Sequence, residues 1–285
     1  MLNIIVPLDL LRFEVRTFWH LDRFNKMVRE DVNVLIGLNT RGRFSIQILR
    51  LLFKNIVFVQ CEYSGSVNRA KLRNRVLKQV QGKVLLCDID VVLTPEILKH
   101  TKNALNYQSF VMFSCLYRKR FFRDIDLKNS NLRTIRKSYK HLAIPSSVIG
   151  LQYNKILFDE RFVGHGYEDF DFMIRYLISK DLYEIDELDF YDETYEVPFL
   201  AKGFRKKLAM FALETLEQGL IAQHIAHSVG NRYEYKKERE LNSVLFANKL
   251  IELSRNKIIT KKHSTSWDSI DLDKMGSYPL NLLFL

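Results

Sequence analysis

The alternation of apolar and polar stretches along the first two thirds of the chain predicts strands separated by helices. Five short apolar runs are typical of buried strands, and Pro7 closes the first of them. These runs cover residues 3–7, 32–38, 56–59, 83–87 and 110–116. Apolar residues at helical spacing fill 12–29, 44–53 and 68–80. We therefore expect an α/β fold with a largely parallel sheet, whose ligands gather at the carboxyl ends of the strands.

Helical spacing dominates the last third of the chain, where it predicts helices over 201–227 and 235–255. We expect one domain over residues 1–230 and a helical C-terminal extension over 231–285. In the helix predicted over 68–80, the apolar residues share one face, so the arginines and lysines are expected on the other.

Composition limits the class of protein. The 285 residues are 47% hydrophobic and 27% charged, which is the balance of a globular protein and excludes general disorder. Cys61, Cys87 and Cys115 each lie in an apolar run, so we expect buried, reduced thiols. No run of about 18 apolar residues occurs, and the first residues make a poor signal peptide, so we expect a cytoplasmic protein.

The net charge favours an anionic partner. Lysines and arginines number 44 against 33 acidic residues, giving +11, which suits a nucleic acid, a nucleotide or an anionic membrane face. Residues 118–140 hold nine basic and two acidic side chains, and residues 181–196 hold eight acidic and no basic ones. These runs are interpreted either as solvated faces of one domain or, for the basic one, as a patch for lipid headgroups or phosphates.

Two aspartates follow the predicted strand at 83–87. Because residues i and i+2 of a strand point to one side, Asp88 and Asp90 are expected together at the sheet rim. Adjacent carboxylates repel unless a cation lies between them, so a divalent cation site is one interpretation. The alternative is a turn with two exposed aspartates. Thr94 and Pro95 then predict a helix start, as N-cap and first helical residue.

Two classes of enzyme carry D-x-D after a strand. The first is the phosphohydrolases with an aspartyl nucleophile, but they normally have glycine where this chain has Val91, and they place the motif on the first strand. The second is the nucleotide-sugar glycosyltransferases, in which the motif holds a divalent cation on the donor diphosphate. The segment by itself leaves both classes open.

A second cluster of polar residues lies at 164–171. Gly164 and Gly166 flank His165, which permits a turn with positive φ and close approach of a ligand. Glu168, Asp169 and Asp171 then begin an apolar helix, where its dipole favours acids. A structural cap needs only one acid, so three beside a glycine turn indicate a functional site.

The residues of this second cluster resemble a known family. Phe-x-Gly-His-Gly-Tyr-Glu-Asp-Phe-Asp over 162–171 resembles the G-W-G-x-E-D-D-D segment of β-1,4-galactosyltransferases and of bacterial chondroitin-polymerase-like enzymes. Residues 67–74 resemble their F-N-R-A-K-L-L-N, and 224–228 resemble their M-I-R-H-S, in the same order along the chain. The resemblance implies a GT-A glycosyltransferase, an α/β fold with a central mixed sheet flanked by helices. Its donor half would cover about 1–115 and its acceptor half about 116–230.

The resemblance implies a role for each matching position. Asp169 would be the general base. Asp90, His224 and His227 would ligate Mn²⁺ or Mg²⁺. On a helical turn, both histidines, which are three residues apart, would face one ion. The remaining positions are Pro7, Arg69, Asp88 and His165 for the donor, and Glu168 and Gly166 for the acceptor.

The expected activity is metal-dependent, inverting transfer from a UDP-sugar to a glycan or lipid-linked acceptor, in bacterial capsule or lipopolysaccharide synthesis. His165 replaces a tryptophan of the galactosyltransferases, which leaves the acceptor open, and the sequence does not identify the sugar, because the candidate sugars differ by one substituent. We expect peripheral attachment to the anionic inner face of the cytoplasmic membrane and no nucleic-acid partner. The rival interpretations are the phosphohydrolase and a basic nucleic-acid-binding protein. Convergence of Asp90, Asp169 and His227 in one cleft would exclude the latter.

Overall fold

A computed structural model of the chain describes residues 1–10, 16–40, 43–118, 139–193, 201–225 and 232–258. The strands of this part are β1 (Leu2–Asp9), β2 (Val32–Asn39), β3 (Val57–Gln60), β4 (Gly82–Leu86), β5 (Val91–Val92), β6 (Phe110–Met112), β7 (Ser114–Arg118), β8 (Tyr139–Ala143), β9 (Ile149–Tyr153), β10 (Asp192–Glu193), β11 (Lys202–Gly203) and β12 (Ile221–His224). Its α-helices are α1 (Arg16–Met27), α2 (Arg43–Leu52), α3 (Arg69–Leu77), α4 (Pro95–Ala104), α5 (Glu168–Ile178), α6 (Phe204–Met210), α7 (Leu213–Glu217) and α8 (Arg232–Ile258).

The central sheet has six strands in the order β3-β2-β1-β4-β9-β6. Strands β3, β2, β1 and β4 are parallel, whereas β9 runs antiparallel to both of its neighbours. The sheet is therefore mixed, and the predicted α/β class with a central sheet and flanking helices is confirmed. The carboxyl ends of β1, β2, β3 and β4 meet at one edge, where the polar residues of the site follow them.

Apolar side chains fill both faces of this sheet. Along β1, Leu2, Ile4 and Val6 pack with α1, α2 and α4 on one face, while Ile5 packs with α3 and α5 on the other. Such alternation follows from the two-residue period of a strand, and burial on both sides explains why the strands appear as continuous apolar runs. Gly37 of β2 permits close packing of α3, since a Cβ there would lie 2.2 Å from the Leu72 carbonyl oxygen.

The first strand does not end at Pro7, as the sequence pattern predicts, but continues to Asp9. The odd residues of β1 direct their backbone groups towards β4, since the Cys87 amide donates to the Ile5 carbonyl. Pairing with β4 stops at Ile5, while pairing with β2 continues through Leu8 and Asp9. The missing N–H of Pro7 therefore faces the side where no ladder continues, which is where proline is tolerated in a sheet.

A second sheet, in the order β5-β12-β7-β8, corrects two predicted elements. The apolar run at 110–116 is two strands, because the chain leaves the central sheet after β6 and enters the second sheet with β7. The helix predicted over 201–227 is wrong as well. It is replaced by α6, α7 and then strand β12, which pairs parallel with β7 and antiparallel with β5. Tertiary pairing on both sides of 221–224 outweighs the local helical pattern.

Three aspartates of the acidic run at 181–193 are paired with basic residues of α6. Lys207 of α6 contacts Asp186 at 2.7 Å and Asp189 at 2.8 Å, and Arg205 pairs with Asp192. The described part of the run is thus not simply a solvated face. Most of the basic run at 118–140 lies outside the described residues.

Helix α8 packs along α5 and the turn that precedes it. Lys249 is buried and pairs with Asp171 at 2.7 Å and Asp159 at 2.5 Å, while Phe246 contacts the rings of Tyr167 and Phe170. The division at residue 230 stays a prediction, although this helix contributes to the walls of the site described below.

All three cysteines are buried and free, as predicted. No described helix is both long enough and apolar enough to span a bilayer.

Candidate active site

The centre of the site is Arg73, a fully buried arginine of α3. Its Nη1 lies 2.7 Å from Asp169 Oδ1, and its Nη2 lies 2.8 Å from Asp88 Oδ1. Glu168 Oε1 lies 3.7 Å from the same Nη1. One planar guanidinium therefore joins the acid that follows β4 to the acids that begin α5, a geometry that a lysine ammonium does not reproduce.

The burial of Arg73 contradicts the sequence pattern, which places every basic residue of α3 on the solvent side. The side chain of Arg73 has no exposed surface, and its guanidinium stacks 5.1 Å from the Phe158 ring. A buried arginine requires partners, and the carboxylates of Asp88 and Asp169 supply them. The one signal in the sequence is that Arg73 occupies an apolar position of the K-L-L-N motif.

Asp169 has the properties of a general base near neutral pH. Loss of hydration in the cleft raises its pKa to about 7; Arg73 and Arg69 lower it, while Glu168 and Asp88 raise it further. A quarter of the side chain stays accessible, and only one carboxylate oxygen contacts Arg73 at hydrogen-bond distance. Asp169 is thus accessible to a ligand, and its pKa lies near neutral pH. General-base catalysis is most efficient when the pKa of the base is close to the pH at which the enzyme works.

The N-terminus of α3 places a second arginine beside the same acids. Asn68 caps the helix by accepting from the Lys71 amide at 2.7 Å, which leaves Arg69 as its first residue. Arg69 Nη1 lies 3.6 Å from Glu168 Oε1. Burial lowers the pKa of Arg69, but the carboxylates of Asp88, Glu168 and Asp169 raise it by more, so the side chain stays charged.

The glycine turn before α5 has the backbone conformation that its sequence predicts. Gly164 and Gly166 have φ of +83° and +88°, and Tyr167 follows in the left-handed region at +70°. The Gly164 amide donates to the Val67 carbonyl at 2.6 Å, which ties the turn to the residues before α3. His165 Nδ1 lies 3.1 Å from Arg69 Nη2, so the turn presents an imidazole to the arginine assigned to the donor.

The two aspartates of the D-x-D segment have different partners, contrary to the expectation of a shared rim position. The segment is a turn beyond the end of β4, not part of the strand. Asp88 binds Arg73, whereas Asp90 Oδ2 lies 3.2 Å from His224 Nε2. The antiparallel pairing of β5 with β12 aligns His224 with Val91 and so determines this approach.

The predicted helical turn carrying both histidines is wrong for His224, because this residue ends strand β12. Its ring stacks 4.1 Å from the ring of Tyr117 in β7. His227 lies outside the described residues, so its place relative to Asp90 stays a prediction.

The chemistry of the described donors suits a divalent cation. Asp90 offers a carboxylate and His224 an imidazole, which are ligands of Mn²⁺ and acceptable ones for Mg²⁺. Among the described residues, no group of three or more His, Cys, Asp or Glu side chains is close enough to hold an ion alone. The described pair therefore fits an ion that takes further ligands from a bound anion or from residues beyond this part of the chain.

The two remaining predicted residues lie in β1 and in the glycine turn. Pro7 is buried in β1, opposite Gly37 of β2. Gly166 faces α8, where a Cβ would lie 3.5 Å from Arg239. The same helix holds the turn from outside, since the buried Asn242 donates through Nδ2 to the carbonyls of Val163 and His165, each at 3.1 Å. Of the predicted residues, Asp88, Glu168 and Asp169 thus meet around Arg73, Arg69 lies beside Glu168 and His165, and Asp90 meets His224.

Comparison with known families decides the assignment. The sequence profile described as "Glycosyltransferase like family 2" matches residues 55–251. The chain belongs to this family. The match includes α3, the D-x-D turn, the glycine turn, His224 and most of α8, so every element of the site except the ends of β1 and β2 lies within it. No curated protein sequence matches the chain.

The chain also matches solved structures. Residues 1–349 of TarS from S. aureus share 16% identity and a TM-score of 0.43, over 61% of this chain and 54% of that one. The chain thus spans about half the length of that protein. Glucosyl-3-phosphoglycerate synthase from Mycobacterium tuberculosis, solved with Mn²⁺, UDP and phosphoglyceric acid, shares 12% identity and a TM-score of 0.42, over 93% of this chain and 80% of that one.

This family 2 glycosyltransferase has a further polar cluster that the sequence analysis missed. Asp9 ends β1 and Asn39 ends β2, and Asn39 Nδ2 donates to Asp9 Oδ1 at 3.3 Å. The Tyr63 hydroxyl donates to Asp9 Oδ2 at 3.1 Å and accepts from the Asn68 amide at 3.0 Å. The only signal in the sequence was the position of two polar residues at the carboxyl ends of predicted strands.

Proposed function

We propose that this protein is a GT-A glycosyltransferase of the galactosyltransferase and chondroitin-polymerase-like group, which transfers a sugar from a UDP-sugar to a hydroxyl of a glycan or lipid-linked acceptor. The observation that carries the proposal is the convergence on Arg73 of Asp88, assigned to the donor, and Asp169, assigned to the acceptor. A transferase must bring its two substrates together, and this guanidinium joins the two sets of residues.

Asp169 is the group that accepts the acceptor proton. The proton moves from the acceptor hydroxyl to the accessible carboxylate oxygen as the hydroxyl oxygen attacks the anomeric carbon. The bond from that carbon to the donor diphosphate breaks, and UDP departs. A single displacement of this kind inverts the anomeric centre, and a positioned base contributes roughly 10²–10⁴-fold to its rate.

The donor lies between the ends of the parallel strands and α3. Asp9 and Asn39 offer hydrogen-bonding groups to the nucleoside, and Asp88 to the ribose or sugar. Arg69 carries the charge that a diphosphate requires, and His165 lies against it. Asp90 and His224, with His227, would hold Mn²⁺ or Mg²⁺, which when bound neutralises charge on the departing diphosphate.

The geometry argues against both rival interpretations. A phosphohydrolase requires Asp88 as a free nucleophile, whereas Asp88 pairs with Arg73 and the glycine turn would have no role. A nucleic-acid-binding protein would present basic residues to the solvent. Here the Arg73 side chain is fully buried among acids, and three quarters of the Arg69 side chain is buried. The carboxylates of both Asp90 and Asp169 raise the pKa of Arg69, which is consistent with the predicted convergence, and His227 lies outside the described residues.

The proposed setting is bacterial capsule or lipopolysaccharide synthesis, with the protein bound to the anionic inner face of the cytoplasmic membrane. The net charge of +11 supports an anionic surface as a partner. The basic run at 118–140 is one proposed anchor.

A panel of UDP-sugars tests the proposed activity. Purified protein is expected to hydrolyse one UDP-sugar slowly in the presence of Mn²⁺ and to stop when the metal is chelated. Transfer to a lipid-linked acceptor is then measured with that donor. Release of phosphate from simple phosphate esters, without cleavage of any UDP-sugar, would instead support the phosphohydrolase.

A further inference from the structure

Five large apolar side chains of the adjacent helices α1 and α2 are exposed, and we call the surface that they form the α1–α2 face. Their exposed fractions range from 37% to 68%. The five are Phe18, Trp19, Ile48, Leu51 and Leu52. The Phe18 ring lies 6.2 Å from that of Phe53, which follows Leu52 directly, so the two helices contribute to one surface.

Helix α2 carries this surface as a second apolar stripe. Ile46, Leu49 and Phe53 are buried against the sheet, as in any amphipathic surface helix. Ile48, Leu51 and Leu52 are spaced i, i+3 and i+4, so they form a separate stripe on an adjoining side. Packing among the described residues accounts for the first stripe but not for the second.

The α2 side of the α1–α2 face carries basic charge, while on α1 the half-exposed Asp22 is paired with Lys26 at 2.6 Å. Residues 32–61 contain no acidic side chain and four basic ones. Two of these, Arg50 and Lys54, are exposed at the end of α2. A helix that combines exposed apolar and basic residues is typical of attachment to an anionic membrane surface.

The same charge disfavours a second copy of the chain as the partner. A two-fold interface brings the same patch of both subunits together, so Arg50 and Lys54 would lie close to their equivalents, while Asp22 of α1 is already paired with Lys26. An anionic bilayer, by contrast, offers phosphates for the basic side chains and an acyl region for the apolar ones.

We propose that the α1–α2 face is the surface by which this protein lies on an anionic bilayer. Trp19, Leu51 and Leu52 enter the boundary between headgroups and acyl chains, where tryptophan is favoured. Arg50 and Lys54 bind headgroup phosphates.

The α1–α2 face is connected to the site through α1. The Arg23 guanidinium lies 5.0 Å from the centre of the Trp19 ring and donates to the carbonyl of Val91, the residue after Asp90. A bilayer against Trp19 therefore lies beside the helix that supports the D-x-D segment. Under the proposed function, on which this step alone rests, a lipid-linked acceptor enters from that side.

The fluorescence of Trp19 tests the proposal directly, because the chain has only two tryptophans. In a Trp267→Phe background, Trp19 is the single emitter. Vesicles of phosphatidylglycerol and phosphatidylcholine are expected to shift its emission to the blue, and brominated lipids to quench it. Vesicles of phosphatidylcholine alone are expected to do neither. Neither donor nor acceptor is present, so a failed vesicle experiment says nothing against the transferase.

Paired variants distinguish the α1–α2 face from other exposed surfaces. Leu51→Ser with Leu52→Ser is expected to lower the vesicle partition coefficient about tenfold or more, and Lys54→Gln about fivefold. The matched control is Leu241→Ser with Val244→Ser, which removes two side chains of α8 that are 63% and 61% exposed. The control is expected to partition like the parent protein.

Three results would overturn the proposal. The first is unchanged partitioning of the Leu51 and Leu52 pair in protein whose circular dichroism matches the parent. The second is equal binding to neutral and anionic vesicles. The third is a dimer in solution that the same pair disperses while Trp19 shows no response to lipid, which would assign the surface to a second copy.

Discussion

Arg73 Nη1 lies 2.7 Å from Asp169 Oδ1, so the proposed general base is paired with a buried cation that also binds Asp88. The pairing explains how Asp88, Glu168 and Asp169 can lie in one cleft. Without a cation among them, their carboxylates would repel one another. The pairing also opposes the rise in the pKa of Asp169 that loss of hydration causes, and so keeps that pKa near 7 instead of higher.

Replacement of the base separates chemistry from binding. Asp169→Asn preserves the shape of the side chain and is expected to lower kcat for transfer by roughly 10²-fold or more. Calorimetry is expected to show unchanged UDP affinity, because Arg69, Asp90 and His224 are intact. Glu168→Gln serves as the matched variant and is expected to raise the acceptor KM instead. Near-normal kcat in Asp169→Asn would place the base elsewhere.

The rate of transfer is expected to rise with pH through about 7. The base acts only as its carboxylate, so kcat/KM increases tenfold per pH unit below the pKa of Asp169, which is raised to about 7, and levels off above it. The residual activity of Asp169→Asn is expected to lack this step. A wild-type profile that is flat from about pH 5.5 to 8.5 would contradict the assignment.

Removal of the central cation destabilises the fold. Arg73→Met leaves Asp88 and Asp169 without their buried partner, so we expect a loss of about 3 kcal/mol in the free energy of unfolding. Arg73→Lys keeps the charge but not the two-pronged geometry, and a smaller loss is expected. Urea denaturation measures both variants. Equal stability of Arg73→Met and the parent would show that solvent, not Arg73, compensates the acids.

Metal-dependent donor binding is expected to depend on the Asp90–His224 pair. Asp90→Ala and His224→Ala should each remove the Mn²⁺-dependent part of UDP affinity in calorimetry, and the resemblance extends this to His227→Ala. His141→Ala is the matched control, because its ring stacks 4.4 Å from the other face of Tyr117 and so belongs to the same ladder of rings. Mn²⁺-dependent affinity that survives in both Asp90→Ala and His224→Ala would place the ion elsewhere.

Helix α8 is expected to affect acceptor use through Asn242. Asn242→Ala removes two hydrogen bonds to the glycine turn, which should lower stability by about 1–2 kcal/mol and raise the acceptor KM severalfold. Slow hydrolysis of the donor without acceptor should be unchanged. Ser243→Ala, at the neighbouring half-buried position, controls for effects of the helix itself. An unchanged acceptor KM in Asn242→Ala would show that the turn holds its shape without this contact.

Local patterns were sufficient for much of the fold and for the glycine turn of the candidate site. Apolar runs predicted the strands that became β2, β3 and β4, because burial on both faces of a sheet leaves a continuous apolar signal. Thr94 and Pro95 predicted the start of α4, since capping involves only adjacent residues. The glycines at 164 and 166 predicted a turn, which the backbone confirms, because positive φ is a property of the residue itself.

Only the tertiary structure decided which of these residues meet. Strand β12 has a helical pattern in sequence. Its pairing with β5 and β7 makes it a strand, and those partners lie more than 100 residues away in the chain, so the local pattern does not reveal them. The pattern of α3 predicts that Arg73 faces solvent. The acids that compensate its burial lie in other segments, after β4 and at the start of α5, so the pattern of α3 does not reveal them. Local sequence determines propensity and turn geometry, whereas pairing and charge compensation depend on contacts between distant segments. The separation of Asp88 from Asp90, and the contact of Asp90 with His224, are therefore properties of the folded chain alone.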